Sequence, residues 1–585
     1  MLLTEEQRAA VAEPGHVCLV SCPGSGKTRV IVAKLVYCIE AVKGTTRRVA
    51  CITHTNPAAD EVDTRLRQTC FGSEDRYYDV ATIHGFALQN ILRPFHRLLP
   101  HLRNGFTILT PDVDAYLEKV RELRQRYVLK QYEVELLEQI QRKPDGTPSD
   151  RVPLSVDIQR EWCAWLDENA YVTLNEIVYY AGRLVTNFPH IGSALASRFA
   201  YILVDEFQDS SPSQVLILRE IHRYRRTIFF CVGDPNQSIY RFAGASPELL
   251  TDFALDIRAN SHLRLTANFR SSSHICAHAE RLCTSNPPMR AMGTHANSPI
   301  VPVHYNVATP FEGITDYFLP AVRAEGIALG NVAILASWWV SLFNLARELR
   351  RHDIPAIGPG ARPYKRSHTI AQLVEAVGAY LESPEPPIAL AVQRSLMILI
   401  ANITGTAPYS VFNFKGRIVV CKLLAEAAVA RATSPYAIDW ITDATSRFSR
   451  IFLEAEMLSV DGVRVLTESA AEMVADIQDR EGGATLTVED MSIFARPKHC
   501  IQLLTVHKAK GREFEAIAII EAHDGRFPHF AISQMAPGAE RDAQYDESRR
   551  VVYVATTRAM RILMFFSDTA HPKNRPSPFL AEMGL

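Results

Sequence analysis

The segment that most constrains this chain is Ser21-Cys22-Pro23-Gly24-Ser25-Gly26-Lys27-Thr28, which stands between an apolar run at 17–20 and a helical pattern at 28–41. Glycines at such a strand-to-helix turn let backbone N–H groups face an anion, and the helix adds the positive end of its dipole. A lysine there reaches the β- and γ-phosphates of a nucleotide, and the next hydroxyl binds Mg²⁺. The segment therefore predicts a phosphate-binding loop, although Ser21 replaces the usual first glycine.

A pair of carboxylates predicts the second half of a nucleotide site. Asp205 and Glu206 directly follow the apolar run 202–204. A carboxylate at the end of a buried strand can hold the Mg²⁺ shell, and its neighbour can orient or deprotonate the attacking water. We assign the first role to Asp205 and the second to Glu206. Such a pair is common by chance, but beside a phosphate-binding loop it predicts hydrolysis of ATP with Mg²⁺.

Short apolar runs that end in polar turns recur along the chain and alternate with helical patterns, which is typical of parallel α/β sheets. One series ends near residue 262, and a second begins near 263 and resumes after 492. Two mainly helical stretches interrupt this rhythm, at 112–175 and 365–492. The predicted fold class is therefore α/β, with two parallel-sheet domains that each carry a mainly helical insertion.

Composition limits the function classes. Hydrophobic residues make up 47% of the 585 residues, which is enough for a large core, and 63 basic residues against 64 acidic ones give a net charge of −1. Nucleic acid would therefore have to be held by local groups rather than by bulk charge. The amino terminus lacks a signal-peptide pattern, and no apolar run approaches the roughly 18 residues of a membrane span. We expect a cytoplasmic protein with reduced cysteines and no membrane partner, and we interpret His274, Cys276, His278 and Cys283 as ordinary helix residues.

Several segments together resemble one known family. Asp205-Glu206-Phe207-Gln208-Asp209 resembles the second helicase motif of the UvrD/Rep/PcrA group of superfamily 1A. Further segments resemble that family's other motifs in the family's order, and they are residues 3–7, 55–59, 82–86, 232–240, 265–271, 505–514 and 549–559.

This resemblance implies two RecA-like P-loop motor domains. The first would comprise residues 1–111 and 176–262, with the helical insertion 112–175 between them. The second would comprise residues 263–364 and 493–585, with the helical insertion 365–492.

The resemblance also implies roles in ATP hydrolysis. Gln7 would read the adenine edge and Phe269 would stack on the ring, while Glu513 would contact the ribose. Gln237 would sense the γ-phosphate and link it to DNA, and Arg270 and Arg558 would be arginine fingers from the second motor domain. The catalytic set is then Lys27, Thr28, Asp205, Glu206, Gln237, Arg270 and Arg558, with Thr28 and Asp205 on the metal. The nucleotide-binding set is Gln7, Ser21, Cys22, Pro23, Gly24, Ser25, Gly26, Lys27, Thr28, Arg29, Phe269, Arg270, Glu513 and Arg558.

The implied activity is that of a 3′→5′ DNA helicase or single-stranded DNA translocase acting on single-stranded or tailed duplex DNA. Phe86 and Phe242 could stack on bases, or they could equally be core aromatics. The candidate DNA contacts are Thr55, Asn56, His84, Phe86, Tyr240, Phe242, Thr505 and His507.

Departures from the family pattern leave a second function open. Ala243 and Ser337 stand where the family has arginines, and residues 566–579 leave little room for the β-hairpin that wedges a duplex apart. The segment 91–95 also resembles helicase-like subunits of the Gabija anti-phage defence system. The alternative is therefore a DNA-sensing or regulatory ATPase that docks on a nuclease, and a third possibility is an RNA motor.

Overall fold

The structure is a computed structural model that describes residues 2–69, 74–111, 113–143, 145–149, 152–241, 244, 246–406, 408–480, 483–568 and 574–585. The chain divides into two compact units. The first unit is Met1–Ser298 with Met535–Thr557, and the second unit is Pro299–Gln534 with Arg558–Leu585.

The first unit is built on a parallel six-stranded sheet in the order β3-β2-β6-β7-β1-β8. Its central strands are buried along almost their whole length, because helices cover both faces of a parallel sheet. The strands of this unit are β1 (Val17–Ser21), β2 (Arg48–Thr53), β3 (Tyr78–Thr82), β4 (Thr107–Ile108), β5 (Tyr171–Val172), β6 (Phe199–Val204), β7 (Ile228–Gly233), β8 (Arg264–Leu265), β9 (Ala267–Asn268) and β10 (Arg290–Ala291).

Some helices of the first unit begin where the sequence supplies caps. Thr4 caps the first helix in a capping box with Gln7, and Ser211 with Gln214 does the same before a helix that has proline in its first turn. The α-helices of five or more residues are Glu5–Ala12, Lys27–Val42, Asn56–Thr69, Ile83–Ala87, Asp114–Tyr127, Gln131–Leu136, Val156–Glu168, Leu174–Asn187, Pro189–Arg198, Pro212–His222, Glu248–Asp256, Ser273–Leu282 and Ala539–Thr556.

The second unit has its own parallel six-stranded sheet, in the order β11-β16-β15-β12-β14-β13. Two parallel sheets of this kind confirm the predicted α/β fold class. The strands are β11 (Val303–Val307), β12 (Val332–Ala336), β13 (Ala356–Ile357), β14 (Ile501–Thr505), β15 (Phe514–Ile519) and β16 (Ala559–Asp568). The α-helices of five or more residues are Leu319–Ala324, Trp339–Arg351, Ala371–Glu382, Pro386–Thr404, Phe414–Thr433, Ala437–Glu454, Val460–Gln478, Val488–Ser492, Phe530–Gln534 and Pro578–Met583.

The first unit extends past the predicted boundary at residue 263. Strand β8 pairs with β1 through Leu265 and Ser21, so it is an edge strand of the first sheet. The Glu6 carboxylate accepts hydrogen bonds from the backbone N–H and the hydroxyl of Thr266, at 2.9 and 2.6 Å. The helix Ala539–Thr556 also groups with this unit, although the resemblance placed residues 493–585 in the second motor domain.

Both interrupting stretches are helical in the structure. The helices of the first stretch enclose a small core of their own around Trp162, which is 1% exposed. In the second stretch, Pro386–Thr404 is the one helix among the described residues that is long and apolar enough to cross a membrane, with 22% of its window buried. The helix is not an uninterrupted apolar run, because Gln393, Arg394 and Ser395 lie in its middle. One such helix is weak evidence for a membrane span, since a helix of a water-soluble protein passes the same test.

Candidate active site

The phosphate loop follows β1 and opens the helix Lys27–Val42. Gly24 and Gly26 have φ of 66° and 78°, in the left-handed region that favours glycine. A Cβ on Gly24 would lie 2.7 Å from Arg270 Cβ and 2.9 Å from Asn268 Oδ1, so a side chain there would displace both. The Ser25 hydroxyl is buried and has no hydrogen-bond partner within the described part of the chain. A loop with an orphaned hydroxyl at a helix amino terminus fits a phosphate.

Gln7 supports this loop from the first helix. Its Nε2 donates to the Ser25 carbonyl at 2.9 Å, and its Oε1 accepts from the Thr4 N–H at 3.1 Å. The side chain is 1% exposed. Both ends of the amide are therefore engaged with the protein in this conformation, and the predicted contact with adenine would require one of these bonds to open.

The two carboxylates lie at the end of β6, as the sequence predicts. Lys27 Nζ is 3.9 Å from Glu206 Oε1, and the Glu206 N–H donates to Asp205 Oδ1 at 2.9 Å. Burial, and then the charge of Glu206, raise the pKa of Asp205 to about 7, and Lys27 opposes that rise. Glu206 has φ of 49° and ψ of 44°, which a non-glycine residue adopts only when its surroundings hold it there.

Sequence reasoning assigned no role to Gln208 and Asp234, which connect the site. Gln208 Nε2 donates to Glu206 Oε2 at 2.6 Å, and Gln208 Oε1 accepts from the Asp234 N–H at 2.9 Å. Gln237 Nε2 then donates to Asp234 Oδ2 at 2.6 Å. All of these residues lie within the quoted motif segments, but a linear motif does not show which members touch. We call Glu206, Gln208, Asp234 and Gln237 the polar chain.

Arg270 and Phe269 lie beside the phosphate loop. The Phe269 N–H donates to the Gly24 carbonyl at 2.9 Å, and the Phe269 side chain is 36% exposed. Arg270 Nη1 donates to the Thr557 carbonyl at 3.0 Å. Arg270 groups with the first unit, because β8 pairs with β1 and carries this segment with it, whereas the resemblance implied a group from the second motor domain.

The remaining predicted nucleotide contacts are divided between the two units. Arg29 is exposed in the first turn of the helix that opens at the loop. Arg558 and Glu513 belong to the second unit. Arg558 is 2% exposed, and its carbonyl accepts from the Phe514 N–H at 3.0 Å, whereas Glu513 is exposed.

Polar and aromatic candidates for DNA contact gather at the carboxyl ends of β2 and β3. The rings of His54 and Tyr240 stack with centroids 5.6 Å apart. Burial, followed by the neighbouring His54, lowers the pKa of His84 to about 4, so its imidazole is neutral at physiological pH. Thr55 and Asn56 are exposed. These residues form an open surface in the first unit.

The aromatic candidates Phe86 and Phe242 have different outcomes. Phe86 is 1% exposed and packs in the core, 5.5 Å from the ring of Phe199. It cannot stack on a base in this conformation, because its helix turns that face toward the sheet. Phe242 lies outside the described residues. In the second unit, Thr505 ends β14 and His507 follows it, and both are partly exposed.

Within the described ranges, no cluster of three or more His, Cys, Asp or Glu side chains could hold a metal ion. His274, Cys276 and His278 lie in the helix Ser273–Leu282, which confirms their interpretation as helix residues. The predicted Mg²⁺ ligands from the protein are Thr28 and Asp205. Such a pair suits an ion that takes its other ligands from water and from the phosphates of a nucleotide.

We predict that Asp205→Asn stabilises the metal-free protein at alkaline pH. Because the folded-state pKa is raised from 3.8 to about 7, the unfolded chain loses its proton first, and stability falls as pH rises through that window. Asparagine removes this loss, which is on the order of 4 kcal/mol above pH 7. Thermal unfolding without Mg²⁺ should show the variant above wild type at pH 8 and level with it near pH 4.

The matched control for this prediction is Asp256→Asn, whose carboxylate lies half-exposed on Arg219. It should leave the difference between the two pH values unchanged. Equal stability of Asp205→Asn and wild type at pH 8 would show that Asp205 carries no raised pKa.

Comparisons with known proteins agree with this geometry. Residues 3–258 match the model of the UvrD/REP helicase N-terminal domain, and residues 470–569 match that of the UvrD-like helicase C-terminal domain. Among curated relatives, DNA helicase II of Rickettsia typhi is 24% identical, over 96% of this chain and 91% of its own length. ATP-dependent DNA helicase PcrA of Staphylococcus aureus is 22% identical, over 99% of this chain and 86% of its own length. The predicted family is thereby confirmed, and the chain belongs to the UvrD/Rep/PcrA-like helicases of superfamily 1A, which are ATP-dependent enzymes.

Proposed function

We propose that this enzyme moves 3′→5′ along single-stranded DNA by coupling ATP hydrolysis to movement, and that it opens tailed duplexes. Its site of action would be the cytoplasm. The 3′→5′ polarity is that of the family, and the motif segments that resemble the family's lie in both units.

The observation that carries this proposal is the polar chain. It begins at Glu206, the carboxylate proposed to activate water, and passes through Gln208 to Asp234 and Gln237. The Ser238 hydroxyl also donates to the Gln208 carbonyl at 3.0 Å, and Tyr240 then stacks on His54. A few hydrogen bonds within one unit would therefore connect a bound γ-phosphate with the candidate DNA surface. Short polar networks of this kind can couple two ligands when both bias the same element.

The proposed chemistry uses residues of the first unit for binding and water activation. Lys27 and the loop N–H groups would hold the phosphates, and Thr28 and Asp205 would hold Mg²⁺, which neutralises phosphate charge when bound. Glu206 would accept a proton from the attacking water. Arg270 would stabilise charge on the phosphates from beside the loop, and Arg558 would add positive charge from the second unit.

The test is steady-state ATP hydrolysis in Mg²⁺ with and without single-stranded DNA, followed by unwinding of duplexes that carry a 3′ or a 5′ tail. We expect strong stimulation by DNA and unwinding of the 3′-tailed substrate alone. Hydrolysis that requires a partner protein, or that ignores DNA, would overturn the proposal in favour of the regulatory ATPase of a nuclease complex. Stronger stimulation by RNA than by DNA would contradict the choice of nucleic acid.

A further inference from the structure

A group of arginines lies at the amino ends of three neighbouring strands of the first sheet. Strands β2, β6 and β7 are adjacent and parallel, so the segments that lead into them meet at one edge. Those segments supply Arg47, Arg198, Arg225 and Arg226, which we call the arginine surface. The phosphate loop and the carboxylate pair follow strands of the same sheet at their carboxyl ends. The arginine surface therefore lies at the edge away from the nucleotide site.

Arg47 holds this edge together through backbone carbonyls. Its guanidinium donates to the carbonyls of Arg226, Ala196, Phe199 and Ser197, at 2.6, 2.8, 3.0 and 3.1 Å. Some of these carbonyls belong to the last turn of the helix Pro189–Arg198, where a cation also meets the negative end of the helix dipole. The position of Arg47 thus has a structural explanation within the fold.

Arg226 brings a second guanidinium close to the first. Its Nη1 donates to the Ser197 hydroxyl at 2.9 Å, and it forms no ion pair with a carboxylate in the described part of the chain. Burial, and then the charge of Arg226, lower the pKa of Arg47, because both disfavour the cation. Two guanidinium groups held side by side in this way favour an anion that contacts both of them.

Arg225 occupies a backbone position that favours glycine. It has φ of 50° just after the helix Pro212–His222, and its N–H donates to the His222 carbonyl at 2.7 Å. Glycine is usual at such a helix end, because a Cβ is strained there. The side chain is exposed and has no ion partner among the described residues. The turn itself does not need arginine, so its cation points to a role outside the turn.

Carboxylates near the arginine surface do not balance its charge. Asp79 is shared by Arg48 and Arg198, at 2.6 and 3.4 Å. Glu220 pairs with the neighbouring Arg223 at 3.4 Å. Because the whole chain has a net charge of −1, this excess of positive charge is local. A local cationic surface attracts an acidic partner and orients it during approach.

Acidic side chains fit this surface better than nucleic acid does. A guanidinium offers parallel N–H donors that match the oxygens of a carboxylate. A DNA duplex is long and uniformly negative, so its phosphates would also meet Asp79 and Glu220, which lie at the margins of the arginine surface. A short acidic segment can contact the arginines without meeting these carboxylates.

We propose that the arginine surface is a docking site for an acidic segment of a partner protein, rich in Asp and Glu. This inference goes beyond the proposed function and does not depend on it, because the surface lies at the edge of the sheet away from the phosphate loop. A partner bound there would leave the loop open to nucleotide.

The test is binding of a fluorescein-labelled oligoglutamate peptide, followed by fluorescence anisotropy at low ionic strength. Wild type should bind the peptide, and added salt should weaken that binding. Arg225→Gln combined with Arg226→Gln should weaken it by roughly tenfold or more, since charged hydrogen bonds are lost at both positions. Arg225→Gly removes one charge and suits the left-handed turn, so it should fold as wild type and still bind the peptide more weakly. ATP hydrolysis by these variants should stay at the wild-type rate.

The matched control is Arg160→Gln, because Arg160 is an exposed arginine of the first unit on the helix Val156–Glu168. It should bind the peptide as wild type does. A wild type that does not bind the peptide, arginine variants that keep full affinity, or an equal loss in Arg160→Gln would each overturn the inference. A blunt DNA duplex is the competing probe. If the Arg225 and Arg226 variants lose more affinity for the duplex than for the peptide, the surface binds nucleic acid and the inference is wrong.

Discussion

Glu206→Gln should bind ATP as tightly as wild type, or more tightly, and should hydrolyse it about 10²–10⁴-fold more slowly, which is the usual contribution of a positioned general base. The amide has the shape of the carboxylate and can still accept the hydrogen bond from Gln208 Nε2. It cannot take a proton from water. The substitution also removes the negative charge of Glu206 Oε1, which lies 3.9 Å from Lys27 Nζ. We therefore expect the lysine to bind the phosphates without competition from this carboxylate.

Two measurements separate binding from chemistry in this variant. Equilibrium binding of ATP in Mg²⁺ gives the affinity, and single-turnover hydrolysis with saturating DNA gives the chemical step. Glu40→Gln is the matched control, because Glu40 belongs to the first unit and forms an exposed ion pair with Lys43. It should behave as wild type in both assays.

A Glu206→Gln variant that hydrolyses ATP at the wild-type rate would remove Glu206 from the reaction. A variant that no longer binds ATP would make it a binding group instead. The strained backbone of Glu206 favours a role in the reaction, because a left-handed conformation at a non-glycine residue costs on the order of 1 kcal/mol or more and persists where the surroundings enforce it.

Local sequence was sufficient for the phosphate loop and the carboxylate pair. Each of them is contiguous, so the glycines, the lysine and the acids are ordered by their own strand and turn. The short continuous apolar runs likewise predicted strands that are buried on both faces, as in parallel sheets. These features need only neighbours in sequence, and the structure places them as expected.

Features assembled from distant segments could not be predicted in the same way. Phe86 and Tyr240 both follow strands in motif segments, but the helix Ile83–Ala87 turns Phe86 into the core, whereas Tyr240 stacks on His54. The rings of Trp338 and His529 stack although they come from distant stretches, and no pattern in either stretch points to the other.

The boundary between the two units could not be predicted for the same reason. The helical patterns and apolar runs suggest that a new domain begins at 263. The pairing of Ser21 with Leu265 and the hydrogen bonds from Thr266 to Glu6 instead bind the next stretch to the first unit. Such pairings depend on which sheet edge is open, and that is a property of the folded unit.

Arg558→Ala should abolish stimulation of ATP hydrolysis by DNA, with a fall in the DNA-saturated rate of roughly 10³-fold or more, the contribution typical of an arginine finger. Arg270→Ala should lower the rates with and without DNA by a similar factor. The physical reason is their position in the chain. Arg270 belongs to the unit that carries the phosphate loop, so we expect it to act on bound nucleotide whether or not DNA is present. Arg558 belongs to the second unit and lies in the sixth motif segment, where the resemblance implies an arginine finger, so under the proposed function we expect it to contribute only when DNA is bound.

The ratio of the two rates is therefore the decisive quantity, rather than either rate alone. Arg561→Ala is the matched control, because this arginine lies on β16 close to Arg558 but forms ion pairs with Glu515 and Glu325. Its rate ratio should equal that of wild type. Arg558→Lys should recover little, since an ammonium lacks the planar pair of donors that a guanidinium offers to phosphate oxygens. If Arg558→Ala keeps full DNA stimulation while Arg270→Ala loses it, the coupling between nucleic acid and hydrolysis runs through the first unit and its polar chain, and Arg558 has no part in it.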